Sequence, residues 1–347
     1  MIRIESLNQQ TPDNSMLLKE VVQGRLESLD IVPNENLGQH FLIDYNAISL
    51  LAHSVSPGNK VIEIGAGIGQ LTEALAKKAT KVVAIEIDRR YAPVLSELME
   101  TNPNLDVIYA DALALSLKDL TKHEEGSGFQ IIASIPYHIT EPLLRKVADL
   151  DIESATMVVG RKLAESIQAQ NEDSLGFGKL TLLAQSFFDI DVLAELGRDS
   201  FLPPPRTESS IIRLSPKEGF PNMRDFLLRK LFLTSSKSPL VRNCMKEGLT
   251  EFTEQQNLGT RTKKERSKII RRSANFDLKQ AAREYNEFGR IEVNDDRSNS
   301  RARLLRVGER AIIDGFGIPS DILGKPFDKL NNSELRTLSL ALRGKDR

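Results

Sequence analysis

The sequence predicts an α/β fold: a Rossmann-like domain with a parallel sheet, followed by a smaller, mostly helical C-terminal domain. Three observations carry this. Short apolar runs of strand length alternate with helix-period segments between residues 60 and 159. A glycine-rich turn follows the first of those runs. From about residue 220 the pattern becomes helical and basic.

The elements follow in order. Residues 16–29 place Leu17, Val21, Val22, Leu26 and Leu29 at helical spacing, which predicts an amphipathic helix. Residues 47–55 predict another, ended by Pro57-Gly58. Lys60-Val61-Ile62-Glu63-Ile64 is a short buried strand that opens into Gly65-Ala66-Gly67-Ile68-Gly69. The next helix carries Leu71, Leu75 and Ala79 on one face. Lys81–Glu86 is the second strand and ends in an acid. A helix around Tyr91–Thr101 precedes the third strand, Leu105–Tyr109, which ends at Ala110-Asp111. Phe129–Ala133 is the fourth strand, ending at Ser134-Ile135-Pro136-Tyr137. A helical pattern near Pro142–Ala148 and a strand pattern at Ala155–Val159 follow. Each strand is largely apolar, as a parallel sheet covered on both faces requires. Beyond the apolar-rich Leu180–Phe188 and Ile190–Leu196, three prolines stiffen Phe201-Leu202-Pro203-Pro204-Pro205. Ser210–Leu214 reads as a closing strand.

Composition sets the outer limits. The 347 residues are 40% hydrophobic and 27% charged, which argues against a disordered or fibrous chain. The net charge of −1 hides an asymmetry. Residues 1–197 carry 16 Lys+Arg against 28 Asp+Glu, and residues 198–347 carry 31 against 20. An acidic front and a basic back suggest a polyanion-binding module joined to something else. The single cysteine, Cys244, excludes an internal disulfide framework and a cysteine-cluster zinc site. The four histidines show no metal-ligand spacing, so no metal is expected. No apolar stretch approaches the roughly 20 residues of a membrane span. Arg3 is not followed by an apolar run, so no secretory signal is expected, and a cytoplasmic protein is.

The glycine loop lets the backbone approach a nucleotide-like ligand closely. Its G-x-G-x-G spacing departs from the dinucleotide fingerprint. Glu63 ahead of it gives Glu63-Ile64-Gly65-Ala66-Gly67, a form more typical of S-adenosylmethionine enzymes. Glu86, about twenty residues on, can accept hydrogen bonds from ribose hydroxyls, and Asp111 from an adenine amino group. A solvated strand end is the plain alternative for either acid alone. Two acids at successive strand ends beside a glycine loop favour a cofactor site.

Ser134-Ile135-Pro136-Tyr137 suits chemistry on an exocyclic amine. Such a nitrogen delocalises its lone pair into the ring and needs acceptors for its hydrogens. The Ser134 hydroxyl and the Ile135 carbonyl are candidate acceptors, and Pro136 holds the turn rigid. Tyr137 and Phe201 are candidate stacking partners for a base turned out of its helix. A strand-ending turn with a packed tyrosine is the plain alternative.

These residues resemble a known family, the ribosomal RNA adenine N6-dimethyltransferases, which includes the bacterial small-subunit enzyme and the erythromycin-resistance methylases. The resemblance rests on Leu37-Gly38-Gln39-His40-Phe41-Leu42, Glu63–Gly67, Glu86-Ile87-Asp88, Asp111-Ala112-Leu113, Ser134–Thr140 and Phe201–Ser209. It covers roughly residues 35–215, and the last segment favours the small-subunit branch. It implies S-adenosyl-L-methionine contacts at His40, Leu42, Gly65, Gly67, Glu86, Asp111 and Ser134. It also implies Ser134, Pro136, Tyr137 and Phe201 around the target base. The implied reaction is dimethylation of two adjacent adenosines near the 3′ end of small-subunit (16S) ribosomal RNA, without a metal or a covalent intermediate. The implied partner is that RNA within the immature 30S particle, met by a monomer.

The chain departs from the family pattern in three places. Position 134 is serine where the family normally has asparagine. Pro33-Asn34-Glu35-Asn36 has no basic residue where the family usually does. The C-terminal half is long, and residues near 250–305 form an insertion that carries Arg261, Lys263, Lys264, Arg266, Lys268, Arg271 and Arg272. A charge run is often a solvated face, and after an RNA-modifying domain it also suits phosphate contact. The resulting division is an N-terminal extension with a helix at 1–34, a methyltransferase domain at 35–215 and a basic helical RNA-binding domain at 216–347. Other readings stay open: a catalytically weak homologue acting in ribosome assembly, a 23S ribosomal RNA methylase of the resistance type, a mitochondrial-type transcription-factor homologue, or a dinucleotide oxidoreductase.

Overall fold

A computed structural model describes residues 13–35, 38–121, 128–136, 139–168, 178–217, 223–234, 240–255 and 313–343. Tyr137 and the seven basic residues from Arg261 to Arg272 lie outside them. The chain divides into two compact units. The first comprises Met1–Ala169 and Phe188–Pro216, the second Gln170–Phe187 and Lys217–Arg347. The second unit thus takes one segment from inside the 35–215 stretch.

The first unit opens with helix α1 (Asp13–Ser28), the short strand β1 (Phe41–Leu42) and helix α2 (Tyr45–His53). Asp44 caps α2 by accepting from the Ala47 N–H at 3.0 Å. Strands and helices then alternate: β2 (Lys60–Ile64), α3 (Gln70–Ala76), β3 (Lys81–Glu86), α4 (Ala92–Thr101), β4 (Leu105–Tyr109), α5 (Leu117–Thr121), β5 (Phe129–Ser134), α6 (Thr140–Val147), β6 (Ser154–Gly160) and α7 (Arg161–Gln168). The elements expected from periodicity between residues 16 and 159 are present, with ends shifted by a few residues, and Ala79 falls beyond the end of α3. In β2 the four consecutive residues Val61 to Ile64 are buried. Successive side chains point to opposite faces, so both faces of the sheet are covered there.

The main sheet has seven strands in the order β4-β3-β2-β5-β6-β9-β7, where β7 is Phe188–Leu196 and β9 is Ser209–Pro216. The strands from β4 through β6 pair in parallel, joined by helical crossovers. The sheet is not wholly parallel, however, because β9 runs antiparallel to both β6 and β7. Only a short excursion links β7 to β9, so no crossover turns the chain round and the pair must be antiparallel. Strand order reverses between β2 and β5, and ligands in open α/β sheets bind beyond the strand ends at that point.

Within the excursion, β8 (Phe201–Leu202) pairs with β1 in a separate two-stranded sheet. The register sets Phe41 against Leu202 and Leu42 against Phe201. The Ile43 N–H donates to the Ser200 carbonyl at 2.8 Å, and the Ser200 hydroxyl donates to Asp44 at 3.0 Å.

The second unit is helical in its described residues. It contains α8 (Lys179–Phe187), α9 (Met223–Thr234), α10 (Val241–Gln255), α11 (Ser320–Leu323) and α12 (Asn332–Arg343). Phe232 packs edge-on against Phe187 and Phe327, with ring centroids 6.4 and 4.9 Å away. Arg229 is buried and donates from Nε to the Ser186 carbonyl at 2.6 Å.

Candidate active site

The glycine loop turns sharply out of β2. Gly65, Gly67 and Gly69 all have positive φ, a region L side chains rarely adopt. At Gly65 space matters as well: an added Cβ would lie 3.1 Å from both the Ser134 carbonyl oxygen and Ile135 Cγ2. The two loops that flank the switch point therefore meet at Gly65. Gly38 plays a matching part, since its Cβ would fall 2.6 Å from Pro136 Cβ. The 38–42 segment thus closes over the loop that follows β5.

Glu86, at the end of β3, faces this loop. One carboxylate oxygen accepts from the Gly67 N–H at 2.7 Å, the other from the Asp88 N–H at 2.8 Å. Burial raises its pKa, and the backbone N–H donors pull it back down. Each oxygen keeps a lone pair for a ribose hydroxyl. Beneath the loop, Glu63 is wholly buried, and neither of its oxygens has a partner among the described residues. The Thr72 hydroxyl lies alongside without a well-formed hydrogen bond. Burial pushes the Glu63 pKa up to about 8, and the charge of Glu86 adds to the rise. Burial therefore favours the protonated form of Glu63.

Asp111 stands exposed after β4 and accepts from the Leu113 N–H at 2.8 Å. Lys146 of α6 donates to the Ala112 carbonyl at 3.1 Å and to the Leu115 carbonyl at 2.6 Å. Burial lowers the Lys146 pKa, while the Asp111 charge works the other way. The helix after the Ser134 loop thus holds the Asp111 loop in place.

The glycine loop, Glu86 and Asp111 line a cavity of about 750 Å³, within the usual range for small-molecule sites. Its wall includes His40, Leu42, Gly65, Gly67, Glu86, Asp111, Ser134 and Pro136. A second cavity of about 410 Å³ adjoins it, bounded by Glu35, Val158, Phe201, Pro205, Arg206 and Thr207. Both share Gly38, His40, Ser134, Ile135 and Pro136, so the two spaces meet at the loop after β5. Phe201 is only 4% exposed and packs in the core, so it offers an edge of wall rather than a free ring.

The His40 Nδ1 lies 2.8 Å from the Pro203 carbonyl oxygen. A carbonyl only accepts, so Nδ1 carries the hydrogen and Nε2 keeps its lone pair in the neutral ring. His40 thereby fastens the first motif to the proline loop, 163 residues away.

Three further residues of this site were not singled out by sequence. Ile87 is 68% exposed yet lines the larger cavity, an apolar plate beside Glu86. Gln39 donates to Asp88 at 3.2 Å and latches the 38–42 segment across the cavity mouth. Lys146 is the third. Ile87 and Gln39 stand inside motif segments, which was the available signal. Nothing in sequence marks Lys146.

A cavity with a close-approach glycine loop, acids at two strand ends and an apolar plate between them fits S-adenosylmethionine. Sheet and cavity together define the class: a Rossmann-like, S-adenosylmethionine-dependent methyltransferase. The chain belongs to the ribosomal RNA adenine dimethylase family, whose profile matches residues 33–291. Among its relatives is the ribosomal RNA small subunit methyltransferase A of Shouchella clausii, 36% identical over 190 residues. That match covers 53% of this chain and 64% of the relative, slightly under two thirds of its length. A probable ribosomal RNA small subunit methyltransferase A of Methanopyrus kandleri is 33% identical over 62% of this chain and 77% of its own. A solved dimethyladenosine transferase from Plasmodium falciparum superposes with a TM-score of 0.47 at 23% identity, over 88% of this chain and 98% of the other.

Proposed function

We propose that the protein dimethylates N6 of two adjacent adenosines near the 3′ end of small-subunit ribosomal RNA. The observation that carries this reading is the meeting of the two cavities at Ser134, Ile135 and Pro136. A donor in the larger space and a base in the smaller would then face each other across one loop. Family membership supplies the substrate class.

In this reading Glu86 holds the cofactor ribose, Asp111 its adenine amino group, and Ile87 covers a face of the adenine. His40, Leu42, Gly65 and Gly67 complete the wall. When bound, S-adenosyl-L-methionine supplies an electrophilic methyl on a sulfonium sulfur. The Ser134 hydroxyl has no partner among the described residues and is free to accept one N6 hydrogen. The Ile135 carbonyl accepts the other. The nitrogen lone pair is then turned toward the methyl carbon, and catalysis is alignment of an in-line displacement. With the cofactor bound, each transfer would replace one N6 hydrogen by a methyl group, and the released proton would pass to solvent. Tyr137 stacks on the extruded base, and the edge of Phe201 bounds its pocket.

The basic segment from Arg261 to Arg272, within the 216–347 domain, contacts RNA phosphates. The protein works as a cytoplasmic monomer on the immature 30S particle. Serine at 134 also favours a second reading, a catalytically weak homologue retained for ribosome assembly. Mass spectrometry of small-subunit RNA from cells with and without the protein decides between them. Dimethyladenosine that disappears with the protein supports the enzyme. Unchanged dimethyladenosine together with defective subunit assembly supports the second reading.

A further inference from the structure

Helix α1 precedes the stretch that the family profile matches, yet it reaches the cofactor loop. Val22 and Leu26 are buried and join the core that also contains Leu42, Ile68, Leu71 and Leu75. Between these two anchors, Arg25 extends toward the glycine loop. Its Nη1 donates to the Ile68 carbonyl at 3.0 Å, and its Nη2 pairs with Glu73 of α3 at 3.2 Å. Ile68 stands between Gly67 and Gly69, whose lack of side chains leaves the backbone free to turn.

The loop is held from two directions. On one side is β3: the Gly65 N–H donates to the Ile85 carbonyl at 2.9 Å, and the Gly67 N–H to Glu86 at 2.7 Å. On the other side is α1, through Arg25 and the Ile68 carbonyl. The peptide between Ile68 and Gly69, where the loop enters α3, also has an internal bond. Its N–H donates to the Ala66 carbonyl at 3.0 Å, a contact that moves with the loop. Arg25 ties the same peptide to a separate element. A guanidinium suits the task because its planar fork reaches a carbonyl and a carboxylate at once.

We infer that α1 is part of the cofactor site and that Arg25 is a positioning residue, which sets the glycine-loop peptides for the ligand without touching it. This rests on the cofactor reading of the larger cavity. The side-chain pair with Glu73 is half-exposed and adds little by itself. The bond to Ile68 carries the effect.

The test uses the full chain and S-adenosylhomocysteine as probe. Arg25→Met keeps the aliphatic stem and removes the donors. Its affinity should fall about five- to tenfold by calorimetry, less than the full worth of a charge-assisted hydrogen bond because the loop keeps its bonds to β3. The amides of Gly67 to Gly69 should exchange faster with deuterium. Arg25→Lys, which retains one charged donor, should recover part of the affinity, and Glu73→Gln should change it little. Leu214→Ala supplies the stability control, since Leu214 is buried in β9 outside the core cluster that α1 joins. Unchanged affinity in Arg25→Met overturns the inference. So does an equal affinity loss in Leu214→Ala at matched stability. If the unaltered protein fails to bind the probe, the cofactor reading falls, while faster loop exchange in Arg25→Met still upholds the hold on the loop.

Discussion

The Glu86 carboxylate accepts a hydrogen bond from the Gly67 N–H at 2.7 Å. The same carboxylate lines the cavity, so one acid both shapes the glycine loop and faces the ligand space. Glu86→Gln retains one acceptor but turns an amide NH₂ toward a backbone donor. Its affinity for S-adenosylhomocysteine should fall about 10- to 100-fold, measured by calorimetry. An affinity within twofold of the unaltered protein would remove Glu86 from the site.

Ser134 offers the only side-chain acceptor among the described residues of its turn. Ser134→Ala should lower kcat about 10- to 100-fold in a methyl-transfer assay on immature small subunits, with a smaller loss of cofactor affinity because Ser134 also lines the larger cavity. Ser134→Asn restores the family's usual acceptor at greater reach and should match or exceed the unaltered rate. Equal rates in all three proteins would show that the turn does not hold the amine.

Lys146 acts at a distance from the ligand. Lys146→Met removes both bonds to the Ala112 and Leu115 carbonyls and lets the Asp111 loop drift. KM for the cofactor should rise about three- to tenfold while kcat changes less than twofold, because only ground-state binding is loosened. Steady-state kinetics with varied cofactor separates the two.

Glu63 makes stability depend on pH. Its pKa is about 8 in the folded protein, above the ordinary carboxylate value, so the native state holds a proton that the unfolded chain has released. Unfolding free energy therefore falls as pH rises from about 4.5 to about 8 and levels off above. Glu63→Gln removes this dependence and should raise stability at pH 8.5 by a few kcal/mol, on the order expected for a shift of that size. Urea denaturation at pH 5.5 and pH 8.5 checks it. An unaltered pH slope in Glu63→Gln would mean that Glu63 is ionised in the folded protein.

Much of the site is legible in the order of residues along the chain. Gly65, Gly67, Glu86 and Asp111 follow strands whose apolar runs are read directly, and chain order puts each at a strand's carboxyl end. Ser134 and Pro136 follow the same logic. Glu86 departs from a simple ligand contact, since its oxygens are already shared with the Gly67 and Asp88 backbone. Phe201 departs further: it reads as an aromatic in a loop and is a strand residue paired with Leu42.

Local pattern by itself determined the alternation of strands and helices, the glycine turn and the acids at the strand ends. These are properties of neighbouring residues, set by backbone sterics and by burial at a fixed period. The tertiary structure alone decided which distant segments share a wall. Arg25 meets Ile68, His40 meets Pro203 and Lys146 meets the Asp111 loop across tens to more than a hundred residues. The antiparallel turn of β9 belongs with these. Such pairings depend on the path of the whole chain through the sheet, and no short-range periodicity encodes a partner that far away.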